Sequence, residues 1–127
     1  MTRIDREKSQ KKALKNLIED LKCGIVVVEG DHDVETLKNI GITNVFKFDQ
    51  IKEVLKSEII NGKTLYIIMD NDKGGSSKEK ATVKILRANL PEVKYNLRAK
   101  EDFLGILNIT SVEEAYPKAI KILRRDC

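Results

Sequence analysis

The chain has 127 residues, of which 41% are hydrophobic and 35% are charged, and its formal net charge is +4. This length is typical of one domain that buries a core without disulfide staples. No run approaches the roughly 20 apolar residues that span a bilayer, and the polar, charged stretch 2–12 is unlike a signal peptide. We therefore expect a cytoplasmic protein with no membrane partner.

The number of cysteines and the positions of the basic residues indicate which kinds of site and partner the chain has. Cys23 and Cys127 are too few for a disulfide framework or a zinc site, so we expect free thiols, with Cys23 a buried, small apolar residue. Basic residues crowd both ends of the chain, at Arg3, Arg6, Lys8, Lys11, Lys12 and Lys15 and at Lys118, Lys121, Arg124 and Arg125. This distribution suits a polyanion such as nucleic acid, and solvated helix faces are the alternative.

The chain begins with a predicted helix over residues 3–21. Its buried stripe recurs at helical spacing and consists of Leu14, Leu17, Ile18 and Leu21. The part before Lys12 has almost no apolar face, so we expect it to fray or to contact a partner. Gly24 is expected to end the helix in the left-handed conformation.

A strand over residues 25–29 follows, because four apolar β-formers run in sequence as in the centre of a parallel sheet. Gly41 is expected to end the helix that follows this strand, and Asp49 is expected to cap the next helix. The elements predicted next are helix 33–40, strand 44–48 and helix 50–60.

The second half of the chain repeats this alternation after the turn signal Asn61-Gly62. A Ser-x-x-Glu capping box at Ser76 is expected to open a helix, and Pro117 is expected to kink or split the last one. The predicted elements are strand 64–69, helix 77–89, strand 93–97 near a sheet edge, a short helix or packed loop within 98–110, and a helix from Ser111 onward.

This order predicts an α/β, Rossmann-like fold with a four-stranded parallel sheet and helices on both faces. Strands one and three must be neighbours if their acidic ends are to meet, which gives the strand order 2-1-3-4 and a topological switch point. We expect a single domain over 1–127, composed of a basic helix 1–22, a core 25–98 and a helical extension 99–127.

Two of the predicted strands end in carboxylates. Glu29 follows the first strand and precedes Gly30, while Asp70 and Asp72 follow the third strand. Because ligand sites in open α/β sheets lie at the carboxyl ends of the strands, we expect one shared acidic crevice. Carboxylates there suit Mg²⁺, which stabilises charge during phosphodiester chemistry. Gly30 is expected to permit a tight turn.

These residues resemble a known family. The motifs Val28-Glu29-Gly30-x-x-Asp33 and Asp70-x-Asp72-x-x-Gly75, each after a buried strand, look like the Toprim domain, and the whole chain looks like the small stand-alone archaeal Toprim proteins. The resemblance implies a Toprim fold, a Mg²⁺ or Mn²⁺ cofactor and a nucleic-acid substrate. It also implies that Glu29 is the general acid or base and, with Asp70 and Asp72, holds the metal. Many members carry a third acid where this chain has Gly74, which weakens the case for a second metal ion.

Several neighbouring residues have both a functional and an ordinary interpretation. Asp33 caps its helix or supports the metal, Lys73 binds phosphate or faces solvent, and Arg98 faces the substrate or the solvent. Gly74-Gly75 leads to Ser76, where helix amides are suited to hold a phosphate. Three further polar residues, which we expect to be solvated, are Asp31, His32 and Asp102.

Three functions compete. The first is Mg²⁺-dependent phosphodiester cleavage or phosphoryl transfer on nucleic acid, with RNA processing more favoured than DNA. The second is a non-catalytic module that binds Mg²⁺ and RNA within a larger complex, where a protein partner supplies specificity. The third is a phosphoacceptor receiver domain with Asp70 as acceptor. It fits poorly because Gly30 follows Glu29 and no clear fifth strand carries a lysine.

Overall fold

The structure is a computed structural model that describes residues 2–56 and 62–125. Its sheet contains four parallel strands in the order β2-β1-β3-β4, which confirms the predicted α/β fold and strand order. The strands are β1 (Ile25–Val28), β2 (Val45–Lys47), β3 (Leu65–Ile67) and β4 (Tyr95–Asn96). The helices are α1 (Arg3–Cys23), α2 (Asp31–Ile40), α3 (Ile51–Lys56), α4 (Lys73–Asn89), α5 (Arg98–Leu107) and α6 (Ala115–Leu123).

Strand β1 lies at the centre of the sheet, and all four of its side chains are buried. Alternate side chains point to opposite faces. Val26 and Val28 pack with α1, α2, α5 and α6, whereas Ile25 and Val27 pack with α3 and α4. The sheet is therefore covered on both faces, which explains why β1 is a continuous apolar run.

The first half of α1 is attached to the C-terminal part of the chain at Gln10 and Lys11. Gln10 donates a hydrogen bond to the Ile106 carbonyl at 2.8 Å and accepts one from Arg125 at 2.6 Å. Lys11 also donates to the Arg125 carbonyl. Polar side chains at Gln10 and Lys11 thus replace the missing apolar face as an attachment, whereas Arg3, Arg6 and Lys8 are exposed, and the expectation that the part before Lys12 frays or contacts a partner stays a prediction.

Two predictions at the end of α1 are wrong. Gly24 has φ −111°, an extended conformation, so it is not a left-handed cap. Glycine is needed there for space, because a Cβ atom would lie 2.5 Å from the Thr64 carbonyl oxygen and 2.6 Å from the Tyr66 ring. Cys23 is exposed rather than buried, and Cys127 lies outside the described residues. By contrast, Gly41 does adopt a left-handed conformation at the end of α2, with φ 110°.

Helix α4 begins at Lys73, four residues before its predicted start. Asp72 is its N-cap, and the Asp72 carboxylate accepts a hydrogen bond from the Gly75 amide at 2.7 Å. A carboxylate at this position satisfies a free amide and interacts favourably with the helix dipole. Ser76 therefore lies inside the first turn, and the capping box predicted there does not form.

Other boundaries differ in smaller ways. Asp49 lies within a 3₁₀ turn, Phe48–Gln50, that leads directly into α3 rather than capping it, and the predicted end of this helix near residue 60 lies outside the described residues. The uncertain stretch after β4 forms α5. Pro117 lies in the first turn of α6, after a 3₁₀ turn at Val112–Glu114. Proline is tolerated there because amides of the first turn have no intrahelical partner.

No helix in the described ranges is long and apolar enough to cross a membrane.

Candidate functional site

Glu29 and Asp70 meet at the carboxyl edge of the sheet. Strands β1 and β3 are hydrogen-bonded neighbours, and the ladder extends past β3 through the Ile68 amide, which donates to the Val27 carbonyl at 2.9 Å. One step further, the Asp70 amide donates to Glu29 Oε1 at 2.9 Å. The two acids thus come from separate parts of the chain and are held together by the sheet itself.

The C-terminal part of the chain orients the Asp70 carboxylate. The Val112 amide donates to Asp70 Oδ1 at 2.8 Å, and the Asn71 amide donates to the Thr110 carbonyl at 2.9 Å. Within the described residues we find no hydrogen bond to Asp70 Oδ2. This second oxygen is therefore the one available to a ligand.

Asp33 is the third acid of the cluster. It lies in the first turn of α2 with only 7% of its surface exposed, and Gly30 rather than Asp33 is the N-cap of this helix. Burial, followed by the negative charge of Asp70, raises the pKa of Asp33 to about 6; Glu29 adds to the rise, and the Gly30 amide opposes it. Burial is the largest cause of this rise, and the contributions of Asp70 and Glu29 indicate that Asp33 lies close to both acids.

Gly75 fits closely between the acids. It is buried in the first turn of α4, and a Cβ atom there would clash with the Asp70 carbonyl oxygen and lie 2.8 Å from Glu29 Oε1. Only glycine allows α4 to approach the two strand ends this closely. Gly75 is therefore required here for close packing, and a role in binding phosphate stays a prediction.

Asp72 is exposed at the start of α4, and its Oδ1 caps the helix. In the described part of the chain, no three His, Cys, Asp or Glu side chains are arranged to hold a metal ion. Glu29 and Asp70 are thus linked by a hydrogen bond, Asp33 is close enough for their charge to raise its pKa, and Asp72 is engaged as the cap of α4; no three of these described acids form a ligand group.

The chemistry of the donors fits Mg²⁺ in one particular form. Mg²⁺ dehydrates reluctantly and is usually bound by one or two carboxylates, several waters and substrate phosphates. Glu29 and Asp70 supply two carboxylates, and a cation there would offset the charge that raises the pKa of Asp33. The residues present fit a hydrated ion held by two carboxylates better than a cage of three.

One charged residue of the site had not been recognised in the sequence. Lys78 lies one turn after Gly75 on α4, and its Nζ is 3.9 Å from Glu29 Oε2. The spacing of three residues between Asp72, Gly75 and Lys78 places Lys78 on the same side of α4 as Gly75. This signal is lost when the helix is predicted to begin at residue 77 rather than at Lys73. The Val112 amide has no such signal, because every residue except proline carries a backbone N–H.

The remaining predicted residues lie around this cluster. Gly30 is extended, with φ −155°, and a Cβ atom there would meet nothing within 4 Å, so the expected tight turn does not require glycine. The Ser76 amide donates to the Asp72 carbonyl, so it is not free to hold a phosphate. Lys73 and Arg98 are exposed first residues of α4 and α5.

The three residues expected to be solvated are exposed. Asp31 forms a 3.0 Å ion pair with Lys47, and His32 is exposed beside it. Asp102 is exposed and lines a different groove, between α1 and α5. The sheet in the described ranges has four strands, so the lysine that follows a receiver domain's fifth strand has no counterpart there.

Comparisons with known proteins support the fold and leave the function open. No protein-family model matches the chain, and no curated protein matches it. Among solved structures, a putative protein from Aquifex aeolicus is similar over 81% of this chain and 94% of its own, with 19% sequence identity and a TM-score of 0.65. At this identity the similarity concerns the fold alone.

Proposed function

We propose that this protein is a Mg²⁺-dependent enzyme that cleaves phosphodiesters, or transfers phosphoryl groups, in nucleic acid, with RNA as the preferred substrate. The observation that carries the proposal is the direct link between Glu29 and Asp70 across two central strands, with Asp33 buried beside them. The Toprim-like spacing of these acids in the sequence supports the same conclusion.

Each residue has a distinct task in this proposal. Glu29 and Asp70 would hold the ion, which supplies charge stabilisation at the phosphodiester oxygens. Burial and the neighbouring acids raise the pKa of Asp33 to about 6 in the metal-free site, so a bound cation would favour release of its proton. Lys78 and Lys73, on the first turns of α4, place positive charge beside the acids where a phosphate would bind.

The decisive variant is Asp70→Asn. The amide Oδ1 can still accept the Val112 hydrogen bond, so the fold should be retained while a metal ligand is weakened. We expect Mg²⁺-dependent cleavage of a labelled, structured RNA to fall about 100-fold or more, the typical effect of losing one group that stabilises transition-state charge. Glu29→Gln, which can still accept from the Asp70 amide, should behave in the same way.

A matched control makes the same charge change elsewhere. Asp20→Asn alters an exposed acid on α1 and should leave cleavage unchanged. Equal activity in the wild type, Asp70→Asn and Asp20→Asn would point to a contaminating nuclease and contradict the proposal. A DNA of the same sequence, assayed in parallel, tests the preference for RNA.

The binding-module alternative has one observation in its favour. Residues 2–56 and 62–125 contain no three-ligand metal group, and an ion held by only two carboxylates suits docking rather than chemistry. Under this alternative, Mg²⁺ strengthens RNA binding in the wild type and not in Asp70→Asn, with no turnover over a broad panel of RNAs. A protein partner would then provide the specificity.

A further inference from the structure

A groove of about 590 Å³ lies between α4 and the edge strand β4. Its walls combine basic, apolar and aromatic side chains, including Lys80, Val83, Lys84, Arg87, Tyr95 and Leu97. Val83, Tyr95 and Leu97 are half-buried and continue the core on this face of the sheet, so they provide a firm apolar floor. This composition differs from that of the acidic cluster.

The basic side chains of the rim form no ion pair with an acid in the described part of the chain. Lys80, Lys84 and Arg87 follow each other at spacings of four and three on α4, are exposed, and take part in none of the ion pairs found in the described ranges. Like charges at this spacing repel and weaken the helix slightly. Glu79, the acid at the end of the groove, is instead paired with Lys100 at 3.5 Å. The rim thus presents unbalanced positive charge.

An aromatic ring is held beside this rim. The Arg87 guanidinium donates to the Tyr95 hydroxyl at 2.8 Å and lies 5.9 Å from the ring centroid. These contacts fix the orientation of the Tyr95 ring within the apolar floor. Basic grooves that contain aromatic rings bind single-stranded nucleic acid through backbone charge and base stacking.

We propose that the α4–β4 groove binds a single-stranded segment of nucleic acid. Helix α4 connects the groove to the acidic cluster, because its first turn contacts Glu29 through Gly75 and its second through Lys78. The helix has 17 residues and is therefore about 25 Å long. A single-stranded nucleic acid that lies along α4 contacts both the groove and the acidic cluster. This inference rests on the proposed function, because the bound segment is then the single-stranded flank of the substrate.

The test measures binding separately from cleavage. A fluorescently labelled oligouridine of twelve nucleotides is titrated with the full chain in EDTA, and anisotropy is recorded at several salt concentrations. We expect Lys80→Gln/Lys84→Gln to weaken binding about 10-fold and to reduce the salt slope by about 1.4, since each phosphate contact to a single strand contributes about 0.7. Tyr95→Leu should weaken binding several-fold without changing the slope.

The matched control, Lys8→Gln/Lys12→Gln, removes two exposed charges from α1 and should bind as the wild type does. Equal weakening by both double variants would overturn the proposal in favour of diffuse charge attraction. So would tighter binding of a blunt duplex, or of a polyglutamate peptide, than of the single strand. All of these titrations are made in EDTA, where no Mg²⁺-dependent cleavage can occur, so failure of the proposed catalytic activity is distinguished from failure of this groove.

Discussion

At the scale of single residues, Asp33 is an acid whose charged form is disfavoured by its surroundings. The residue as a whole is almost fully buried, its carboxyl is near Asp70 and Glu29, and its pKa is raised to about 6 from 3.8. The native protein therefore binds a proton more tightly at this position than the unfolded chain does. Retaining such an acid in the core costs stability at neutral pH, as sites organised for charged ligands often do.

Asp33→Asn should stabilise the metal-free protein. As pH rises from about 4 to about 6, the wild type loses free energy of unfolding because its native state holds the proton that the unfolded state has released. At pH 7 the variant should be more stable by up to about 3 kcal/mol, since each pKa unit corresponds to about 1.4 kcal/mol, and this advantage should vanish below pH 4. Urea unfolding in EDTA at several pH values measures the effect.

The control for this prediction is Asp31→Asn, which changes an exposed acid in the same turn of α2. Its effect on the free energy of unfolding should be small, because exposed ion pairs such as Asp31–Lys47 contribute little. Parallel pH curves for the wild type and Asp33→Asn would show that the buried carboxyl is not perturbed in this way.

At the scale of elements, Asp72 determines where α4 begins. The residue caps the helix through its Oδ1, and the Toprim-like spacing also makes it a candidate metal ligand. The cap places Gly75 against Glu29 and Asp70, so the position of the whole helix depends on this turn. Structural and chemical roles can be separated because asparagine caps a helix as well as aspartate does.

Asp72→Ala should lower the free energy of unfolding by about 1 kcal/mol, because the Gly75 amide loses its partner. Asp72→Asn should remain close to the wild type in stability, measured by urea unfolding without metal. If asparagine preserves stability and abolishes Mg²⁺-dependent cleavage, Asp72 acts chemically as well as structurally. Equal stability of the alanine variant and the wild type would contradict the capping role.

At the scale of the whole molecule, the acidic cluster joins distant parts of the chain. Glu29 follows β1, Asp70 follows β3, and Val112 belongs to the segment before α6. The residues that follow β4 are therefore part of the site's support, since they orient Asp70 as well as covering one face of the sheet. A ligand that binds between these segments should stabilise the entire fold.

Magnesium should accordingly raise the thermal stability of the wild type. At ten times its dissociation constant it adds about 1.4 kcal/mol, which corresponds to a rise in Tm on the order of 5 °C for a domain of this size. Asp70→Asn should lose most of this rise. Differential scanning fluorimetry with MgCl₂ against NaCl at equal ionic strength measures it, and an equal rise in both proteins would indicate a general salt effect.

The sequence by itself determined the sheet order and the meeting of Glu29 with Asp70. Continuous apolar runs identify buried parallel strands, and a parallel sheet places the residues that follow its strands at one edge. These inferences depend only on local composition and on the few permitted topologies, so they needed no knowledge of packing.

Only the tertiary structure decided how the pieces approach each other. Gly24 and Gly75 read as helix-ending or loop residues, yet each is glycine because a neighbouring segment leaves no room for a Cβ atom. The start of α4, the burial of Asp33 and the Val112 hydrogen bond likewise follow from contacts between segments far apart along the chain. Local patterns carry no record of such contacts, because close approach and burial are properties of the packed molecule.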